Sequence, residues 1–85
     1  MMNEAQYDAQ DAIADLEDEL TANRAAERQL IRDLAEARKN AHLDHARNGT
    51  PIERAYAQVD KLEHDHAALV ARRADIVTDL RSFGW

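Results

Sequence analysis

Seven consecutive residues, Arg47-Asn48-Gly49-Thr50-Pro51-Ile52-Glu53, hold the only proline of this 85-residue chain and one of its two glycines. Glycine closes helices because it enters the left-handed region without a Cβ penalty. Thr50-Pro51-Ile52-Glu53 reads as the start of another helix: a threonine N-cap, a proline at the first helical position, and a glutamate at the third to complete a capping box. Stop and start signals in direct succession favour a tight helical hairpin over a flexible linker.

The flanking segments carry the matching periodicity. Before the turn, Ala9, Ile13, Leu16, Leu20, Asn23, Glu27, Leu30, Leu34, Ala37, Ala41 and Asp44 alternate in steps of four and three, and Ile31 widens the stripe. After it, Ile52, Ala55, Val59, Leu62, His66, Leu69, Arg73, Ile76, Leu80 and Phe83 do the same, broadened by Tyr56, Val70 and Val77. This is the seam of a left-handed coiled coil. Asn3, with Gln6 three residues on, is a plausible N-cap, and Gly84 is a stop signal before Trp85. The expected fold is all-α, a single antiparallel two-helix hairpin across residues 1–85. Its parts are a first helix over about 4–47, a turn over about 48–50 and a second helix over about 51–82.

Folding the seams about the turn leaves two registers open. One sets Ile13 against Phe83, Leu16 against Leu80, Leu20 against Ile76, Asn23 against Arg73, Leu30 against His66 and Leu34 against Leu62. A half-step shift sets Glu27 against Arg73. In both, Asn23, Glu27, His66 and Arg73 form a polar layer, which fixes register and partner number at some cost in stability. Leucine at both Glu27 and Arg73 is expected to raise stability and loosen assembly specificity.

The chain is 45% hydrophobic, but much of that is alanine, and its aromatics are Tyr7, Tyr56, Phe83 and Trp85. A hairpin with so thin a core, whose first helix outruns its second, is expected to self-associate, with a dimer favoured. Glu4, Asp8, Asp11, Asp15, Glu17, Asp18 and Glu19 place much of the −6 net charge in the first twenty residues. Pairing antiparallel about residue 21 brings Glu4 to Arg38, Asp11 to Arg32, Asp15 to Arg28 and Asp18 to Arg24, the self-complementarity of a two-fold interface. Asp8 and the seam residues Ile13, Leu16 and Leu20 complete that surface. Trp85 is a candidate anchor for a partner, or packs on its own hairpin near Ile13.

Chemistry is sparsely signalled. There is no cysteine. His42 and His45 stand three apart, a workable ligand spacing, but His64 and His66 point to nearly opposite faces, and the two pairs lie at different heights. His66 belongs to the seam and is expected to bond an acid, with Asp33 a candidate, and to make stability pH-sensitive. Thr21, Thr50, Thr78 and Ser82 have no His/acid partners, and two distant glycines make no phosphate loop. No catalytic site, metal or cofactor is expected.

The acidic start without an apolar run argues against a secretory signal, and no stretch approaches a membrane span. These features favour a cytoplasmic protein, and the Ala/Arg/Asp bias suits a GC-rich bacterial or phage genome. The expected function is a non-enzymatic protein–protein interaction module, an oligomeric hairpin acting as an adaptor or a structural or regulatory protein on an unidentified protein partner. The alternative is a small acidic inhibitor or decoy that occupies a basic site, including one on a nucleic-acid-binding protein. Overall acidity argues against direct contact with nucleic acid.

Overall fold

The computed structural model describes residues 4–85, and their side chains from Asp8 onward. The Asn3–Gln6 cap and the side chain of Glu4 lie outside the described residues. Two helices, α1 (Glu4–Asn48) and α2 (Glu53–Ser82), pack along each other as a hairpin, and the described residues contain no strand. The 45 residues of α1, at 1.5 Å each, span roughly 68 Å. The molecule measures 70 × 15 × 15 Å, so α1 sets its length. The 30 residues of α2 cover only part of it.

The heptad seams are the contact line. Every seam residue from Ala9 to Asp44 and from Ile52 to Leu80 is buried or half-buried. Near the turn, Leu34, Ala41, Val59 and Leu62 form one apolar cluster, with Leu30, Ala37, Ala55 and Tyr56 packed on it. Towards the open end, Leu20, Ile76 and Leu80 form a second, supported by Ile13, Leu16 and Val77. The polar centre foreseen in the sequence lies between them. These clusters match the register that sets Leu20 against Ile76 and Leu34 against Leu62. The Glu27–Arg73 contact of the shifted register is made as well, because the long arginine side chain spans a helical turn.

Both helices end on a left-handed glycine, by different hydrogen-bond patterns. In α1, Gly49 (φ 73°) donates its N–H to the His45 carbonyl at 2.9 Å, the simple αL termination. In α2, the Gly84 N–H donates to the Arg81 carbonyl at 3.0 Å and the Trp85 N–H to the Leu80 carbonyl at 3.2 Å, with Gly84 at φ 83°. That pair of bonds is the Schellman arrangement.

Three details depart from expectation. The capping box is not made: α2 begins at Glu53, two residues later than expected, behind an extended Ile52 (φ −94°, ψ 110°) with no side-chain cap. The Ile52 carbonyl instead opens the helix by accepting from the N–H groups of Ala55 and Tyr56. Gly49 to Ile52 therefore serve as the crossing between helices whose axes lie about 8–10 Å apart. Phe83 falls outside the core, 43% exposed, because the chain leaves the helix there and turns at Gly84. Ile31 and Val70 do not widen the stripes; they stand 51% and 42% exposed, whereas Tyr56 and Val77 do pack.

The turn yields a paired prediction. Gly49→Ala meets no steric obstacle, since a Cβ there has nothing within 4 Å, so its cost is the backbone strain alone, about 1 kcal/mol. Thr50→Ala, which removes a side chain making no cap bond, should shift stability by less than about 0.5 kcal/mol, against ~1 kcal/mol for a working cap. Urea denaturation of the two variants at one protein concentration measures both.

Candidate functional site: a polar layer and the surfaces around it

Midway along the hairpin the two seams bring together four polar side chains. The Glu27 carboxylate accepts two hydrogen bonds from the Arg73 guanidinium, at 2.6 and 2.9 Å, in a bidentate fork. Its Oε2 also lies 3.0 Å from Nε2 of His66. His66 and Arg73 are one heptad apart on α2, so Glu27 is centred on the level of Leu69. Asn23 completes the layer: its Nδ2 donates to the Leu69 carbonyl at 2.9 Å. The expectation of Asp33 as the partner of His66 is corrected, since Asp33 is held on its own helix by Gln29 at 2.9 Å and His66 turns to Glu27.

Arg73 chiefly, by hydrogen bonding, holds the Glu27 carboxyl below its ordinary range; burial opposes this and the His66 bond assists. The same bond raises Arg73. The layer is tightly paired at one point and deficient at another: Oδ1 of Asn23 is buried without a hydrogen-bond partner. A bidentate ion pair with every charge matched is an arrangement for holding two helices in register.

The other histidines are dispersed. His45 meets the Tyr56 hydroxyl at 3.2 Å, with the rings edge to face. His42 and His64 are exposed. Among the described residues, no three histidine, aspartate or glutamate side chains gather as metal ligands, and no helix is long and apolar enough to cross a membrane.

The proposed interface residues with described side chains fall into three groups and a lone tryptophan. Ile13, Leu16 and Leu20 belong to the hairpin's own core, Leu20 being only 4% exposed. Asp8, Asp11, Asp15 and Asp18 are exposed, and their heptad positions lie on the side of α1 directed away from α2. Arg24, Arg28 and Arg32 are exposed; Arg32 bonds Gln29 at 2.9 Å, and Arg38 donates to Glu63 of α2 at 2.9 Å. The four aspartates thus lie on a different face from Arg24, Arg28 and Arg38, while Arg32 shares the aspartates' side and Glu17, one heptad before Arg24, shares the arginines' flank. Trp85 stands 54% exposed.

Besides His45–Tyr56, two further interhelix contacts were not read from the sequence. Arg72 forks onto Glu19 at 2.7 and 2.8 Å, and Arg38 bridges to Glu63 on the opposite flank. Each joins positions bordering the two seams, a signal available once the register is known. Beside the Glu19–Arg72 pair, Ala26, Leu30, Ala68 and Leu69 line a shallow groove with Gln29, Asp33 and Asp65. Comparison of the chain with protein-family models, with curated proteins and with solved structures returns no match.

The layer can be tested at Glu27 and at Asn23. A carboxylate with a depressed folded pKa contributes stability that is present above its unfolded pKa and lost as pH falls through the folded value. Glu27→Gln should therefore be destabilised at neutral pH, and its deficit against the wild type should shrink as acid protonates Glu27; denaturation midpoints across that range test the sign. Asn23→Leu, which keeps the branched shape and removes the buried unpaired oxygen together with the bond to the Leu69 carbonyl, should stabilise the hairpin by about 1 kcal/mol, measured by the same method.

Proposed function

We propose that this chain is a non-enzymatic interaction module: a helical hairpin that self-associates, most simply as a dimer, and joins other protein through its helix faces. One observation carries the reading. The hairpin uses a single stripe of each helix for its own core and leaves five large apolar side chains, Ile31, Leu43, Val70, Phe83 and Trp85, between 41% and 54% exposed. Small two-helix units rarely bury enough surface alone, so association is their usual source of further stability. The ion pair supports the same reading, because its atoms are engaged in joining the helices. Sedimentation from micromolar to millimolar concentration should show a dimer or a concentration-dependent monomer–dimer equilibrium. A monomer throughout removes the self-association from the proposal.

A second reading rests on the exposed acids of α1. Asp8, Asp11, Asp15 and Asp18 form an outward strip that no base of the hairpin neutralises by direct contact among the described residues. Such a strip suits a decoy that occupies a basic site on another protein, with affinity falling as salt rises. Exchanging the four aspartates for asparagine separates the readings. The adaptor keeps its self-association and its partner, whereas the decoy loses salt-sensitive capture of a basic protein.

A further inference from the structure

One flank of the hairpin carries an apolar patch bounded by charge. The Arg38–Glu63 bridge and the His45–Tyr56 bond lie on the same side of the molecule, because each joins the position just after a seam residue on α1 to its counterpart on α2. Ile31 stands seven residues before Arg38, and Val70 seven after Glu63, so both belong to this flank and to one level. Both are exposed by about half. Ala35, Ala67 and Ala74 beside them are exposed and small enough for another backbone to approach closely.

We propose that this flank receives the same flank of a second copy, forming a four-helix bundle with both turns at the same end and α1 of each chain against α2 of the other. This rests on the self-associating reading above and specifies its surface. Charge decides the orientation. On this flank Arg38 of α1 stands level with Glu63 of α2, and Arg24 lies two heptads before Arg38. With the two-fold axis along the bundle, Ile31 meets the other copy's Val70. Arg38 meets its Glu63, so the two intrachain bridges close into a ring of alternating charge. Every helix then lies antiparallel to both neighbours, as their dipoles favour. With the turns at opposite ends, the same patch would stack Ile31 on Ile31 and bring Arg24 against Arg38, a like-charge contact. The opposite flank suits a second copy less, since Asp33 and Asp65 rim its groove.

The chain has no cysteine, so introduced thiols report contacts without background. Ile31→Cys and Val70→Cys chains, mixed and air-oxidised, should give mainly the disulfide-linked heterodimer, with each variant alone linking slowly. Rapid linking of Ile31→Cys alone supports the opposite orientation and overturns the proposal. In parallel, Ile31→Lys/Val70→Lys should keep its helical circular dichroism and weaken self-association at least about a hundredfold. A wild-type dimer that survives both lysines and gives no crosslink refutes this surface while leaving self-association standing. A wild type that is monomeric at every concentration refutes both.

Discussion

Glu27 ties α1 to two successive turns of α2 at once, and the register of the hairpin depends on that double attachment. Leucine-rich seams repeat every heptad, so apolar layers alone would tolerate a slip of seven residues. Such a slip here would centre Glu27 on Leu62, losing Arg73, or on Ile76, losing His66, so either way one of its two attachments is replaced by the aliphatic Val59 or Leu80, and desolvation of the carboxylate is then poorly offset. The bidentate fork to Arg73 adds direction to this penalty, since two parallel N–H···O bonds fix the angle as well as the distance. The cost falls on core continuity: the apolar clusters lie on either side of the layer and do not merge.

The seams were legible because their signal is a period, and a helix converts spacing directly into facing. From Ala9 to Leu80 each seam residue lies where its number places it. Flank positions resist such reading, because their burial depends on what stands across from them. Tyr56 packs because the Leu34–Ala41–Val59–Leu62 cluster lies beside it and His45 meets its ring edge to face, and Val77 because the Leu20–Ile76–Leu80 cluster lies beside it. Ile31 and Val70, equally apolar, stay exposed. The start of α2 departs from its sequence signal for a related reason. Thr-Pro-x-Glu satisfies local capping rules, but the chain must also cross between two helix axes, and the extended Ile52 serves that crossing. The end of α2 was legible through Gly84, whose left-handed backbone stops the helix and also removes Phe83 from the seam that its spacing assigns to it.

Along α1 four aspartates and three arginines keep to different faces. The side chains of Asp8, Asp11, Asp15 and Asp18 point away from α2, while Arg24, Arg28 and Arg38 lie towards one flank. An antiparallel pairing about residue 21 needs acids and bases on a common strip; Asp11 and Arg32 share one, whereas the heptad positions of Asp15 and Arg28, and of Asp18 and Arg24, differ by roughly a quarter turn of helix. Under the proposed pairing the same separation keeps the two surfaces apart: the flank with Ile31 and Arg38 faces the second copy, and the acidic outer strip stays in water.

The proposed contact and the polar layer are also coupled by position. Ile31 lies one turn from Glu27 on α1, and Val70 one turn from His66 on α2, so the apolar patch adjoins one side of the layer. In the single hairpin that side is partly wet, with the His66 side chain 35% exposed and that of Glu27 17%. Covering the patch with a second copy excludes water from the network, and a hydrogen-bonded charge pair is stronger in a lower local dielectric provided its partners are already in place. Glu27, Arg73 and His66 are in place before any association. A layer that weakens the core of the isolated hairpin thereby becomes a reason for two hairpins to close over it.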